Sequence, residues 1–290
     1  MGLKIIVLAK QVPDTRNVGK DAMKSDGTVN RAALPAIFNP EDLNALEQAL
    51  RLKEKYNGST VTVLTMGPGR AADIIREGMF RGADSGYLLT DRAFAGSDTL
   101  ATSYAISCAI RKIKEYDVII AGRQAIDGDT AQVGPQVAEK LSLPQITYAE
   151  EIFSAENRKI TVKRRLERGV ETVECALPCV VTVNSSAPDC RPRAAKLIMK
   201  YKHARTATER TEQPNEYDTL ATARPYLNIR EWSVNDIETD AKWLGLSGSP
   251  TKVKAIENVV FQAKESKKLT DSDSEIEDLI KELIVNHTIG

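Results

Sequence analysis

The chain has little of what enzymes use for acid–base or metal chemistry. Only two of its 290 residues are histidines, His203 and His287. Its four cysteines are Cys108, Cys175, Cys179 and Cys190. No two of them form a CxxC pair, which excludes the usual zinc sites, and no Ser/His/Asp or Cys/His arrangement is evident. We therefore expect a bound cofactor to supply any chemistry, and the cysteines to be small core residues in a reducing cytoplasm.

Net charge and long hydrophobic runs are also missing. Lysine and arginine together number 40, as do aspartate and glutamate, so the formal charge is zero. A neutral chain lacks bulk attraction for nucleic acid or an anionic membrane, and we expect neither as a partner. The apolar run at residues 5–9 is too short for a secretory signal or a membrane span. The sequence therefore predicts a cytoplasmic protein without membrane insertion.

What the chain does have is an alternation of apolar runs and amphipathic stretches. The runs lie at residues 3–9, 60–66, 86–90, 117–122, 145–152 and 179–184. Such runs are typical of strands that are covered on both faces, and the stretches between them have helical spacing. The alternation predicts an α/β fold with a doubly wound, mostly parallel sheet. Two extended runs around Glu167-Arg168-Gly169 predict a β-hairpin.

The composition changes after Asn184, where the chain becomes basic and then polar. We expect the α/β domain to span residues 1–205 and an extended, helical C-terminal arm that contacts a partner subunit to span residues 206–290. The arm carries a short helical piece at residues 258–264 and a last helix, for which Ser274 and Glu277 form a capping-box pattern. The apolar stripe of that helix is Ile276, Leu279, Ile280, Leu283 and Ile284. A basic stretch at residues 191–205 fits a solvated helix face and a docking element for another protein equally well.

The most informative stretch is the loop that begins at Gly122. It follows an apolar strand, is punctuated by Gly122, Gly128 and Gly134, and leads into an amphipathic helix. Because the first turn of a helix offers unpaired N–H groups, this layout suits a phosphate-bearing ligand. Asp129 and Gln132 form a predicted capping pair. The loop is neither a P-loop nor a GxGxxG fingerprint, so as a generic motif it is weak.

Three further loops are expected to meet this one at the carboxyl edge of the sheet. Residues 9–11 follow the first strand, and Met66-Gly67-Pro68-Gly69 end the second run. Asn39 and Pro40 open the first helix, where Asn39 can cap and Pro40 suits the first helical position. By themselves Asn39 and Pro40 indicate helix initiation only. Open α/β sheets bind ligands at this edge, so four converging loops form a more specific signal than any one of them.

At these residues the chain closely resembles the β (small) subunit of electron transfer flavoproteins. The resemblance runs from residue 4 to about residue 202. It rests on NPEDLNALEQALRLKE, the Gly67-Pro68 turn, RGADSGYLL and above all AGRQAIDGDTAQVGPQVAEKL. It implies a Rossmann-like fold of the adenine-nucleotide-hydrolase type and a larger α subunit that carries FAD. In this family the β-subunit pocket holds AMP in housekeeping members and a second FAD in electron-bifurcating ones.

Carried onto this chain, the resemblance implies a cofactor pocket in residues 1–205. Its members are Ala9, Asn39, Pro40, Glu41, Asp42, Met66, Gly122, Arg123, Gln124, Ala125, Ile126, Asp127, Gly128, Asp129, Thr130, Ala131, Gln132 and Val133. Lys10, Gln11, Pro13 and Asp14 would line a flavin ring. No catalytic side chain and no metal are expected, because the flavin carries the chemistry.

Two details favour the bifurcating branch. Housekeeping members are similar to this chain in this loop but carry a third acidic residue at the position of Gly128. The loop KQVPDT at residues 10–15 resembles the corresponding loop of NADH-oxidising members. The implied function is hydride transfer from NADH to FAD, with the electrons split between ferredoxin or flavodoxin and the α-subunit FAD. The latter would serve a flavin-dependent dehydrogenase of the acyl-CoA or lactate type. The alternatives are a housekeeping subunit with structural AMP and, less favoured, a stand-alone ATP-binding sensor.

Overall fold

The computed structural model describes residues 2–14, 35–251, 266, 268–286 and 288–289. The chain divides into two units, Met1–Lys254 and Ala255–Gly290. The described strands of the first unit are β1 (Lys4–Leu8), β2 (Gln11–Pro13), β3 (Ala36–Phe38), β4 (Thr60–Met66), β5 (Ser85–Leu89), β6 (Val118–Gly122), β7 (Gln145–Glu156), β8 (Lys159–Leu166), β9 (Gly169–Ala176), β10 (Cys179–Val183) and β11 (Arg230–Trp232). Its described helices are α1 (Pro40–Lys55), α2 (Ala72–Arg81), α3 (Thr99–Ile113), α4 (Val133–Leu141), α5 (Ala195–Tyr201), α6 (Ala207–Glu212) and α7 (Leu220–Ala223). The second unit contains α8 (Asp273–Val285).

The main sheet confirms the predicted α/β class. Among the described residues its strand order is β11-β5-β4-β1-β6-β10-β7-β8-β9. The strands from β11 to β7 are parallel, and β8 is antiparallel to both of its neighbours, which gives the predicted hairpin. Winding proceeds outward from β1 through β4 on one side and from β6 through β10 on the other. It therefore reverses between β1 and β6, where this fold class binds ligands beyond the carboxyl ends of the strands.

Both faces of the sheet are covered, as the continuous apolar runs predicted. Val7 of β1 lies in one buried cluster with Leu46 of α1. Its neighbour Ile6 lies in the other cluster with Ile110 of α3 and Val137 of α4. Each fully buried aliphatic side chain of this kind contributes about 1.5–3 kcal/mol. Because successive strand residues point to opposite faces, an uninterrupted apolar run is what a two-sided core requires.

A small antiparallel ribbon brings the residues after β1 next to the start of α1. In it β2 pairs with β3, and Gln11 lies opposite Phe38. The Asn39 N–H then donates to the Lys10 carbonyl at 3.0 Å. This ribbon was not predicted from the sequence. Thr15, the last residue of the KQVPDT loop, lies outside the described residues.

Residues after 205 add to the first unit rather than leaving it at once. The short strand β11 pairs in parallel with β5 at the edge of the sheet. Leu227, Ile229, Ile237 and Leu244 are buried in the two core clusters. The predicted boundary after residue 205 therefore falls inside the first unit. That residues 206–290 contact a partner subunit stays a prediction.

The last helix begins earlier than predicted. Ser272, not Ser274, is the N-cap residue, and its hydroxyl accepts a hydrogen bond from the Glu275 N–H. The Glu275 carboxylate accepts from the N–H and the hydroxyl of Thr270 at 2.6 and 2.9 Å. The chain offers the Ser-x-x-Glu spacing twice here, and the first instance is used. The predicted helical piece at residues 258–264 lies outside the described residues.

Within the described ranges, no helix combines the length and the apolar character that crossing a membrane would require.

Candidate nucleotide-binding cleft

A cleft of about 380 Å³ lies at the point where the sheet reverses its winding. It opens beyond the carboxyl ends of β1, β4 and β6, and its lining includes Ala9, Met66 and Gly122, which lie at or just after those ends. This volume is in the range of small-molecule sites. The predicted convergence of loops at this edge is therefore present in the structure.

Most of the residues predicted from the sequence line this cleft. They are Ala9, Lys10, Asp42, Met66, Gly122, Arg123, Gln124, Ala125, Gly128, Asp129, Thr130, Ala131, Gln132 and Val133. The other predicted residues lie outside its lining, and they are Gln11, Pro13, Asp14, Asn39, Pro40, Glu41, Ile126 and Asp127. Several of these instead hold the lining residues in place.

One wall of the cleft was not predicted from the sequence. This wall is the loop after β5 and the start of α3, and it contributes Phe94, Gly96, Ser97, Asp98, Thr99, Thr102 and Ile106. A signal for it was present in the sequence. Gly96-Ser97-Asp98 stands between a strand and a helix, the same layout that singled out the Gly122 loop. The Asp98 carboxylate caps α3 by accepting from the N–H groups of Leu100 and Ala101 at 2.9 and 3.0 Å.

Asn39 holds the Gly122 loop by its side-chain amide. Its Nδ2 donates to the Gln124 carbonyl at 2.8 Å, and its Oδ1 accepts from the Ile126 N–H at 3.1 Å. The side chain is fully buried. Asn39 occupies the N-cap position of α1, but its side chain makes no capping bond, so the predicted capping role is wrong. The amide is instead committed to the loop, while Pro40 takes the first helical position as predicted.

Glu41 fixes the same loop through two further contacts. Its Oε2 accepts from the Gln124 N–H at 2.9 Å, and its Oε1 accepts from Nη2 of Arg123 at 3.1 Å. The Arg123 guanidinium also lies 5.8 Å from the ring centroid of Tyr148. An acid at the start of a helix interacts favourably with the helix dipole, which explains why Glu41 tolerates burial here.

Asp42 joins the two loops on either side of the winding reversal. Its Oδ2 accepts from the Lys10 N–H at 2.8 Å, and its Oδ1 accepts from the Gly122 N–H at 3.1 Å. Burial raises the pKa of the Asp42 carboxyl to about 7, although hydrogen bonds from Lys10, Asn39 and Gly122 favour its charged form. A Cβ added at Gly122 would lie 2.4 Å from Asp42 Oδ1 and 2.7 Å from the Glu41 carbonyl carbon. Glycine is therefore required at position 122 by the approach of the α1 backbone.

The start of α4 offers donors to a ligand. The N–H groups of Thr130, Ala131 and Val133 donate to no acceptor in the part of the chain that the structure describes. Asp129 and Ala131 have φ values of 48° and 53°, which are uncommon for residues other than glycine. Unpaired N–H groups at a helix start, together with left-handed residues, form the kind of concave site that binds phosphate.

The predicted capping pair in this loop is wrong. Gln132 is itself the N-cap residue of α4 and makes no side-chain capping bond. Its Oε1 accepts from the Thr99 hydroxyl at 3.0 Å, whereas Asp129 Oδ1 accepts from Nε2 of Gln124 at 2.9 Å. Because neither side chain caps α4, its first N–H groups remain available to a ligand.

A surface ion pair links the loops after β1 and β6. Lys10 Nζ donates to both carboxylate oxygens of Asp127, at 2.8 and 2.9 Å. Nearly half of the Lys10 side chain is exposed, so the pair contributes little to stability. Lys10 lines the cleft and Asp127 does not, so the pair ties a lining side chain to a neighbouring residue outside the lining.

Fold and cleft together define a doubly wound α/β protein with a ligand cleft at its switch point. Residues 26–213 match the sequence profile of the family described as "Electron transfer flavoprotein domain". The "Electron transfer flavoprotein subunit beta" of Megasphaera elsdenii is 45% identical over 260 residues, which cover 88% of this chain and 87% of that protein. The chain therefore belongs to the electron transfer flavoprotein family and is of its β-subunit type, as the Gly122 loop indicated.

Two further relatives carry the names of larger complexes. The "Caffeyl-CoA reductase-Etf complex subunit CarD" of Acetobacterium woodii is 43% identical over 251 residues, covering 87% of this chain and 86% of that protein. The "Acryloyl-CoA reductase electron transfer subunit gamma" of Anaerotignum propionicum is 40% identical over 298 residues, covering 99% of this chain and all of that protein. Relatives of this chain are thus electron-transfer subunits of oxidoreductase complexes.

Proposed function

We propose that this chain is the β subunit of an electron-bifurcating electron transfer flavoprotein, and that its cleft binds FAD. The observation that carries the proposal is the start of α4, where Thr130, Ala131 and Val133 line the cleft and their N–H groups donate to no acceptor among the described residues. A phosphate bound there would receive hydrogen bonds and the favourable end of the helix dipole. The family supports an adenine nucleotide as the ligand.

The residues of the cleft fit the adenosine and phosphate half of such a cofactor. Gly122 lets the loop after β6 pack closely against the start of α1, and Asp42 accepts hydrogen bonds from the loops after β1 and β6. Among the residues proposed to line the flavin ring, Lys10 lines the cleft. Gln11 Nε2 instead donates to the Arg70 carbonyl at 3.2 Å, and Asp14 is buried. Lys10 is therefore the member of that group that the geometry supports best.

A bound FAD would accept a hydride from NADH and release the two electrons singly, one to ferredoxin or flavodoxin and one to the FAD of the α subunit. The chain's own part is to bind the nucleotide, orient it and exclude water around it. It would act as an NADH-dependent oxidoreductase only within a complex.

The proposed partners are the α subunit, ferredoxin or flavodoxin, and a flavin-dependent dehydrogenase. The names of the CarD and acryloyl-CoA reductase relatives support an acyl-CoA dehydrogenase over a lactate dehydrogenase. In the second unit, Ile276, Ile280 and Ile284 of α8 are exposed, and we propose that this stripe packs on the α subunit or the dehydrogenase. The cysteines are free, which supports the proposed cytoplasmic location.

One observation favours a second candidate, a housekeeping β subunit with structural AMP. The volume of the cleft, about 380 Å³, lies near the lower end for ligand sites. A site of this volume suits a mononucleotide better than a dinucleotide.

Cofactor content distinguishes the two. The chain should be produced with its α subunit, purified without added nucleotide and denatured, and the released cofactors quantified by chromatography. Two FAD per heterodimer, together with bleaching of flavin absorbance by NADH, would support bifurcation. One FAD plus one AMP per heterodimer would move this chain to the housekeeping type.

A further inference from the structure

Residues 240–251 hold the missed wall of the cleft, although none of them lines the cleft. We call them the tail segment. The segment belongs to the same unit as the cleft, and the Asp240 N–H donates to the Tyr104 hydroxyl of α3 at 2.9 Å. Leu244 is buried in the cluster that contains Phe94 and Ile106, two lining residues. The tail segment is therefore packed directly behind the wall.

The tail segment is hydrogen-bonded to this wall at Asp98. One carboxylate oxygen, Oδ1, caps α3, and the other, Oδ2, accepts from the N–H and the hydroxyl of Thr251 at 3.1 and 2.7 Å. The Asp98 N–H donates to the Ser249 hydroxyl at 2.8 Å, and that hydroxyl donates to the Gly245 carbonyl at 2.6 Å. Asp98 is thus hydrogen-bonded to the tail segment through both its backbone N–H and its carboxylate.

The backbones of the two segments also approach closely. A Cβ added at Gly245 would lie 2.4 Å from the Ala93 carbonyl oxygen, and Gly245 has a φ of 52°. Gly96 has a φ of 73° and faces Leu246, whose Cδ2 would lie 2.6 Å from an added Cβ. The tail segment therefore contacts the wall through backbone at Gly245 and through a side chain at Leu246.

Hydrogen bonds continue from this wall to the donors proposed for phosphate. Thr99, next to Asp98, donates from its hydroxyl to Oε1 of Gln132 at 3.0 Å. Gln132 in turn lies between Ala131 and Val133, two lining residues whose N–H groups donate to no acceptor in the described part of the chain. A continuous path of contacts therefore runs from Thr251 through Asp98 and Thr99 to the start of α4.

We propose that the tail segment is a positioning element for nucleotide binding. Its hydrogen bonds to Asp98 keep residues 96–99 in the geometry that the ligand requires. Nucleotide affinity and the stability of the tail segment are therefore coupled. The inference rests on the proposed nucleotide function of the cleft. Coupling of this kind is reciprocal: if the tail segment strengthens nucleotide binding, bound nucleotide must stabilise the tail segment by the same factor.

The experiment uses the full chain, with AMP and FAD as separate probes in calorimetric titrations. The test variant combines Ser249→Ala with Thr251→Val, which removes both hydroxyl contacts to Asp98 and leaves every lining residue unchanged. We expect its affinity for the bound nucleotide to fall about tenfold, a typical size for such coupling. Thr251→Ser alone keeps the hydroxyl and should bind like the unaltered chain.

Thr208→Val is the matched control. Thr208 also contacts a carboxylate with its N–H and its hydroxyl, at 3.3 and 2.8 Å from Glu231 oxygens, but away from the cleft. It should leave nucleotide affinity unchanged. A second measurement is hydrogen exchange, in which saturating nucleotide should slow the amides of Asp98, Gly248 and Thr251.

A double variant that is less stable but binds nucleotide like the unaltered chain would overturn the inference, because the tail segment would then be merely structural. Exchange rates that do not respond to nucleotide would overturn it as well. If the unaltered chain binds neither AMP nor FAD, the proposed function itself fails and the inference falls with it. Those outcomes are distinguishable, since only the last concerns the unaltered chain's affinity.

Discussion

The two walls of the cleft are held in place by different parts of the chain. The first wall, residues 122–133, is held by Asn39, Glu41 and Asp42, which bind its backbone from the start of α1. The second wall, residues 94–99, is held by the tail segment, which lies 153 positions further along the chain at the contact of Asp98 with Thr251. The first wall thus depends on a helix start that itself reaches the cleft. The second depends on residues that no ligand would touch.

One wall of the cleft is therefore held by contacts that a sequence pattern indicates, and the other by contacts that no sequence pattern indicates. Polar residues at a helix start next to a Gly-rich loop form a pattern that a reader of sequence can recognise. A serine and a threonine that contact an aspartate from a distant segment form no pattern. If the first wall is the more rigid of the two, substitutions in it should lower the free energy of unfolding more than substitutions in the second wall.

Gly122→Ala should have the largest effect. Its Cβ would meet backbone atoms of Glu41 and Asp42 that cannot move without shifting α1. We expect the free energy of unfolding to fall by about 3 kcal/mol, with loss of nucleotide binding. Gly128→Ala is the control, because an added Cβ there meets no atom within 4 Å. Equal unfolding free energies for the two variants in denaturant titrations would contradict a rigid first wall.

The pH dependence of stability should reveal Asp42. Burial raises the pKa of this carboxyl to about 7 in the folded chain, whereas its ordinary value is 3.8. Between pH 5 and 7 the folded chain binds the proton and the unfolded chain does not, so the stability contributed by the protonated carboxyl is lost as the pH rises. We expect the unfolding free energy to fall by about 2 kcal/mol across this interval relative to Asp42→Asn. Parallel profiles for the two proteins would show that Asp42 is already ionised at pH 5.

Asn39→Ala should lower both nucleotide affinity and the free energy of unfolding, whereas the comparable variant Asn44→Ala should lower only the latter. Asn44 lies on the same helix, is also buried, and donates to the carbonyls of Ala187 and Pro188 at 3.0 Å each. Replacing either asparagine by alanine removes two hydrogen bonds to partly or fully buried backbone groups, so each variant should lose about 1–3 kcal/mol of stability. Only Asn39→Ala should weaken nucleotide binding, measured by titration with AMP or FAD. Equal affinities in the two variants would mean that Asn39 does not position the first wall.

Gly96→Ala should have the smallest effect and thereby sharpen the contrast between the walls. The added Cβ would meet the end of the flexible Leu246 side chain, not backbone. The remaining cost is the positive φ of 73°, which is about 1–2 kcal/mol for alanine. Adding Leu246→Ala should remove the steric part in a double-mutant cycle of unfolding free energies. A loss as large as that of Gly122→Ala would show that the second wall is equally rigid.

Much of the fold followed from local patterns. The apolar runs predicted six strands of the parallel part of the sheet, namely β1, β4, β5, β6, β7 and β10. The extended runs around Arg168 predicted the hairpin of β8 and β9. The ribbon of β2 and β3 and the edge strand β11 were missed, because each has only three residues and gains its pairing from neighbours far along the chain. The mistaken cap at Ser274 has a different, local origin. Ser272 and Ser274 offer the same spacing to a glutamate, and Glu275 is the one that also accepts hydrogen bonds from Thr270.

By itself the sequence determined the α/β alternation, the edge of the sheet that carries the cleft, and the loop that begins at Gly122. Those features depend on the periodicity of strands and helices and on the residues that helix starts and tight turns require, all of which act over a few neighbours. Only the tertiary structure decided that Asn39 holds a loop and does not cap its helix, and that residues 240–251 hold the second wall. A side-chain amide or hydroxyl can bond to any donor or acceptor within about 3 Å. Which one it meets is set by the packing of segments that lie far apart in the chain.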